Sequence, residues 1–138
     1  MARVKIDFPN SFLFTTQTKV RVGDLNYGNH LANDKLLALL HQARVEFFES
    51  LNQSELDFFG QGLIMSDSVI NYKAQAFLND DLEISVGITD ISRVAFDIVY
   101  KVSKNSVLVA EAKTGMVCFD YKNEKVCPVP ASLLQLLQ

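Results

Sequence analysis

The chain has 138 residues, 49% apolar and 21% charged, with a formal net charge of −3. A chain of this length buries roughly two-thirds of the surface it exposes when unfolded, so one domain over residues 1–138 is expected, with a core that needs neither disulfides nor metal. The weak acidity and the lack of a basic stripe argue against nucleic acid as a partner, and the longest apolar run, Leu36–Leu40, is far too short to cross a membrane.

The N-terminal stretch Met1 to Ser11 carries Arg3, Lys5 and Asp7 and no apolar run of signal-peptide length. Phe12 to Val22 then alternates strictly: Phe12, Phe14, Thr16, Thr18, Val20 and Val22 share one face, and Leu13, Thr15, Gln17, Lys19 and Arg21 the other. That period predicts a strand. A polar loop, Arg21 to Asp34, follows and is rich in Asp, Asn, Gly and His.

The spacing of Leu36, Leu40, Ala43, Phe47 and Leu51 predicts a helix from Asn33 or Asp34 to Leu51, with Asn33 as N-cap and the Asp34 carboxylate in the first turn. Leu37, Leu39, Val45 and Phe48 widen its apolar stripe, so the helix is expected to be enclosed on most sides. A short helical piece, Glu55 to Phe59, is expected after Ser54, ended by Gly60 and Gly62. Strands are expected near Ile64–Ala76, Asp81–Asp90, Ala95–Ser103 and Ser106–Tyr121, with turns at Asn79-Asp80 and Lys104-Asn105. Val126 to Pro130 reads as extended, and Ala131 to Gln138 as a short helix. Cys118 and Cys127 have neither CxxC nor metal-type spacing, which points to reduced thiols and a cytoplasmic setting.

One apolar helix and one long antiparallel sheet satisfy each other if the sheet curls around the helix, an α+β arrangement. Pairing edge to edge with a second copy would remove an exposed strand edge.

The order of elements and the loop Asp24-Leu25-Asn26-Tyr27-Gly28-Asn29-His30-Leu31-Ala32-Asn33 resemble the hot-dog fold acyl-CoA thioesterases of the 4-hydroxybenzoyl-CoA thioesterase type. Ala43-Arg44, Val69-Ile70-Asn71-Tyr72 with the turn from Asn79 to Leu82, Val109-Ala110-Glu111 and Pro128-Val129-Pro130 extend the resemblance along the chain. It implies a long antiparallel sheet wrapped around one central helix, a homodimer or dimer of dimers, no cofactor and no metal, and hydrolysis of an acyl thioester of coenzyme A or of an acyl carrier protein. The chain departs from the family at Asn26, which stands where the second loop acid usually serves as base or nucleophile, and at His41 and Gln42, where a helix acid is usual. An amide has no accessible basic form, so a binding protein for acyl thioesters without turnover is the rival reading.

On this resemblance the backbone N–H of Asn33 polarises the carbonyl, aided by the helix dipole. His30 is the base by residue type, Asn26 holds water or substrate through its amide, and Asp24 orients His30 or acts as a base itself. Gly28 lies at the motif glycine beside the substrate, and Asp67 reaches the loop from a neighbouring subunit.

Overall fold

The computed structural model describes residues 4–138; Met1 to Arg3, part of the N-terminal stretch discussed above, lie outside the described residues. The first strand, β1, spans Phe14–Lys19, with Phe14, Thr16 and Thr18 turned inward and their neighbours exposed. It is shorter than its alternation predicts. Val22–Asp24 coil into a single 3-10 turn because the Asp24 carboxylate takes the Arg21 N–H at 2.9 Å.

The long helix α1 spans Asn33–Ser50. Its N-cap is Ala32 rather than Asn33, and Asn33 is the first helical residue. The Asn33 side-chain oxygen accepts the N–H of Asp34 at 2.8 Å. Leu36, Leu39, Leu40, Ala43, Phe47 and Phe48 are buried, whereas Leu37 is 38% exposed. Lys35, Ala38, Gln42 and Glu49 are exposed as well, so one flank of the helix is open rather than enclosed. The expected helical piece after Ser54 does not form. Ser54 Oγ accepts the Asp57 N–H at 3.0 Å, Asp57 Oδ1 accepts that of Gly60 at 3.0 Å, and Phe58 pairs with Gln61 in an isolated bridge. Side chains that cap nearby N–H groups compete with helical bonding.

Four long strands follow: β2 Gly62–Tyr72, β3 Asp81–Thr89, β4 Ala95–Lys104 and β5 Val107–Asp120. A two-residue strand, β6 Lys125–Val126, and a short helix, α2 Ala131–Leu136, complete the chain. The turns fall one residue from where expected, at Leu78-Asn79 and Asn105-Ser106, with Asn79, Asn105 and Ser106 in the left-handed region at φ 70°, 46° and 67°. The sheet runs β1-β3-β4-β5-β2, antiparallel throughout, with β6 on β5.

Alternation puts Leu82, Ile84, Val86 and Ile88 of β3, Phe96, Ile98, Tyr100 and Val102 of β4, and Ala110, Ala112, Met116 and Cys118 of β5 in the core with α1. The sheet curls around the helix in the hot-dog arrangement implied by the resemblance. Its outer face is partly covered by the N-terminal segment. Asn71 Nδ2 donates to the Val4 carbonyl at 2.8 Å, and Lys101 Nζ stands 4.6 Å from the Phe8 ring centroid.

One charged side chain is buried in this apolar layer. Arg44, 3% exposed, donates through Nε to Glu55 and through Nη1 to the Tyr100 hydroxyl at 3.2 Å; Tyr100 and Thr114 hydroxyls meet at 2.8 Å. Burial opposes the charge, but Tyr100 and Glu55 outweigh it and hold the guanidinium above its ordinary pKa. The helix is thereby fastened both to the sheet and to the turns that follow it.

Candidate active site

The loop between β1 and α1 is folded by its own amides. Asn26 N–H donates to the His30 carbonyl at 2.8 Å, and Asn29 N–H donates to the Asn26 carbonyl at 3.0 Å. Asn26 Oδ1 accepts the N–H groups of Gly28 at 2.9 Å and of His30 at 3.2 Å. Asn29 adopts φ 65°, a conformation asparagine tolerates better than most residues. Two N–H donors converging on one atom identify it as the oxygen, so the Asn26 NH₂ is left as a donor.

The base of the loop is tied at both ends through Asp24. Its carboxylate holds the Arg21 N–H, and its carbonyl accepts the Ala32 N–H at 2.9 Å. Beyond it, Leu31 N–H donates to the Ala76 carbonyl at 2.8 Å, and the His30 ring lies 5.2 Å from that of Phe77. The segment after β2 is therefore the floor on which the loop rests. β2 stops at Tyr72 instead of reaching Ala76 because Lys73 and Ala74 both turn their N–H groups onto the Val109 carbonyl, at 2.8 and 3.1 Å.

A cleft of about 320 Å³ opens where the loop, the start of α1 and this segment meet. Asn26, His30 and Asn33 line its polar side; Leu31, Leu36, Ala76 and Val109 line its apolar side, with Tyr72 and Gln75. The Asn33 N–H belongs to the first turn of α1, where no intrahelical acceptor exists, and among the described residues it has no other. Neither His30 ring nitrogen has a hydrogen-bond partner among the described residues. The residues lining the cleft thus include two with unpaired donors, one imidazole and several apolar side chains.

The structure brings Asn26, His30 and Asn33 together, with Gly28 held beside them. A Cβ added at Gly28 would sit 3.3 Å from Asn26 Oδ1. It does not bring Asp24 or Asp67 to the cleft of the same protomer. Asp24 caps the loop base, and its bond goes to the Arg21 backbone, while Arg44 is engaged by Glu55. Asp67 lies on edge strand β2 at a bulge between Met65 and Asp67. There it accepts from Lys113 Nζ at 2.9 Å and from the Gly115 N–H at 3.1 Å. Residue 115 has to be glycine for this approach, since a Cβ would fall 2.2 Å from Asp67 Oδ1. Lys113 is also 3.6 Å from Asp97, and these carboxylates raise its pKa, the Asp67 hydrogen bond most of all.

Tyr72 is a cleft residue that reading the sequence for chemistry passes over. Its hydroxyl donates to the Asn33 carbonyl at 3.1 Å, and partial burial, with Asp34 nearby, raises its pKa. The signal was its position at the end of β2, where the chain leaves the sheet and crosses the helix start.

The profile of the thioesterase-like superfamily matches residues 20–137. The chain is 28% identical over 126 residues to a 1,4-dihydroxy-2-naphthoyl-CoA hydrolase of Synechococcus elongatus, covering 88% of this chain and 93% of that protein. It is 27% identical over 128 residues to a hydrolase of the same name from Nostoc punctiforme, covering 91% and 86%. Among solved structures, a 1,4-dihydroxy-2-naphthoyl-CoA thioesterase from Synechocystis superposes with a TM-score of 0.80 at 23% identity, covering 90% of this chain and 94% of that one. A gentisyl-coenzyme A thioesterase superposes with a TM-score of 0.77 at 20% identity, covering 88% and 99%. With a match that spans the loop, the helix and every strand from β2 to β6, this chain belongs to the thioesterase-like superfamily.

Proposed function

We propose that this protein hydrolyses an acyl-CoA thioester to a free acid and coenzyme A, in the cleft at the start of α1. The observation that carries this reading is that Asn26, His30 and Asn33 line one opening, with the Asn33 N–H and the Asn26 NH₂ unpaired among the described residues. The thioester carbonyl oxygen accepts from Asn33 N–H and Asn26 Nδ2, and the positive end of the α1 dipole adds to the stabilisation of the charge that develops there. His30 takes a proton from water as the water attacks the carbonyl carbon. The tetrahedral intermediate then expels the thiolate, which takes the proton from the imidazolium.

The names of the relatives favour an aromatic acyl group, and Tyr72 with the His30–Phe77 ring pair offers flat surfaces for one. We infer that the protein works as a homodimer or a dimer of dimers joined along β2. That edge runs for 11 residues with one side unpaired, and Ile64 and Met65 are 38% and 43% exposed on it. Asp67 then sits at the junction, where a neighbouring subunit's loop can meet it. No helix among the described residues is long and apolar enough to cross a membrane; a cytoplasmic setting is part of the same reading.

Among the residues lining the cleft of one protomer there is no carboxylate. That observation favours the second reading, an acyl-thioester binding protein, and acyl-carrier-protein thioesters remain a second substrate type. Thiol release from aryl, short, medium and long acyl-CoAs and from acyl carrier protein thioesters decides among them. Turnover with aryl-CoA supports the proposal. Binding of acyl-CoA with no thiol released from any thioester overturns it in favour of the binder.

A further inference from the structure

We propose that Cys118 and Cys127 are a redox-modification site that closes to an intramolecular disulfide, with a low-molecular-weight disulfide such as glutathione disulfide as oxidant. β5 and β6 pair Phe119 with Val126 and Asp120 with Lys125. One further step of that register sets Cys118 opposite Cys127, and the Cys127 N–H does donate to the Cys118 carbonyl, at 3.0 Å. The Cys118 N–H goes to the Val94 carbonyl at 2.8 Å, so the two cysteines share one bond of the reciprocal pair. Opposed antiparallel residues hold their Cα atoms about 4.5–5.5 Å apart with side chains on one face, within the roughly 4.4–6.8 Å that disulfides bridge. Both side chains meet the same core cluster, Cys118 inside it and Cys127 against it, and both are free thiols.

Access differs between the two. Cys118 is fully buried, whereas Cys127 lines a cleft of about 400 Å³ together with Gly62, Phe119, Tyr121 and Lys122. This cleft shares no residue with the one at the start of α1. The Cys127 thiolate attacks the oxidant's S–S bond, forms a mixed disulfide and releases one thiolate. The Cys118 thiolate then attacks the Cys127 sulfur, forms the Cys118–Cys127 bond and expels the second. The protein loses two electrons and two protons, and the oxidant leaves as two thiols. Burial pushes the Cys118 thiol up to about 11 and raises that of Cys127 as well. Closure is therefore slow near neutrality and quickens about tenfold per pH unit until the thiol ionises. The product ties β5 to the chain that leads into α2, whose Leu133 is buried.

The test is to treat the purified protein with excess glutathione disulfide at pH 7, 8 and 9, then block, denature and map it with trypsin. The expected product has lost the mass of two hydrogens and yields a linked pair of peptides, Thr114–Lys122 with Val126–Gln138. Its Tm rises by about 5 °C and falls back on reduction. Cys118→Ala is expected to stop at a stable glutathione adduct on Cys127; if that variant does not fold, the wild-type peptide map still decides. A lasting adduct on Cys127 in the wild type at pH 9, two remaining thiols, or a link between separate chains overturns the proposal. No thioester is used, so the result is independent of the proposed activity.

Discussion

Asn26 and His30 brace each other in both directions: the Asn26 N–H donates to the His30 carbonyl at 2.8 Å, and Asn26 Oδ1 accepts the His30 N–H at 3.2 Å. The pair is what turns a polar stretch of chain into a fixed edge of the cleft. Asn26→Ala removes the side-chain half of the brace and one carbonyl donor together. Turnover of the preferred acyl-CoA is expected to fall by about 10²-fold, the usual consequence of losing one donor to a developing oxyanion. Asn26→Asp keeps an acceptor for the Gly28 and His30 N–H groups and frees a second oxygen as a base. It also removes the Asn26 Nδ2 donor, so on the proposed mechanism its turnover falls at least as far as that of Asn26→Ala; retained or raised activity shows instead that a carboxylate base at this position replaces the donor role. Steady-state thiol release reads both.

His30→Ala is expected to lower kcat by about 10²- to 10⁴-fold, the range for loss of a general base, with a smaller change in KM. Added imidazole is expected to restore part of the lost kcat in the variant, because it can enter the space the side chain vacates. A kcat unchanged by the substitution removes His30 from the base role.

Asp24 separates stability from chemistry. Its carboxylate is spent on the Arg21 N–H, so Asp24→Ala is expected to cost about 1 kcal/mol in urea unfolding, as loss of one backbone-directed hydrogen bond does. Turnover of the folded fraction should fall only modestly. A collapse of kcat at unchanged stability instead restores Asp24 as a catalytic acid or base.

Arg44 carries the largest expected penalty. Arg44→Ala takes one partner from the Tyr100 hydroxyl, which keeps Thr114, and one from Glu55, whose side chain is 31% exposed, and is expected to cost about 1–3 kcal/mol, the range for leaving hydrogen-bonded polar groups unpaired. Arg44→Met with Tyr100→Phe and Glu55→Gln removes the charges from all sides and is expected to recover most of that loss. Denaturant midpoints for the single and the combined variant make the comparison.

The floor of the cleft is pH-sensitive through Asp80. Its hydrogen bond from Lys104, at 2.9 Å, and that from the Phe77 N–H hold its pKa below the usual carboxylate range. A depressed folded-state pKa contributes stability at neutral pH that is lost as pH falls through the lowered value. Asp80→Asn is therefore expected to be less stable than the wild type at pH 7 and to lose less on going to pH 3, measured by urea midpoints at the two pH values. An unchanged difference across that range shows that Asp80 contributes nothing through its charge.

Periodicity by itself determined the long elements. The alternation in Asp81–Thr89, Ala95–Lys104 and Val107–Asp120, and the helical spacing of Leu36, Leu40, Ala43 and Phe47, each report which side of an element faces apolar surroundings, a property written locally in the chain. The polar loop before α1 was legible too, because Asn, Gly, His and Asp in that density have no place in a core. What only the tertiary structure decided depends on partners distant in sequence. Whether Asn26 offers its oxygen or its nitrogen follows from two backbone N–H groups folded back upon it. The inclusion of Tyr72 follows from β2 ending where Val109 draws off two N–H groups. Asp24 and Asp67 look like active-site acids in the sequence; within one protomer the Arg21 N–H holds the first away from the cleft, and Lys113 and Gly115 hold the second at the edge of the sheet. A carboxylate's role is set by which donor reaches it first, and in this protein those donors are positioned by the turn and the sheet rather than by the spacing of the acids.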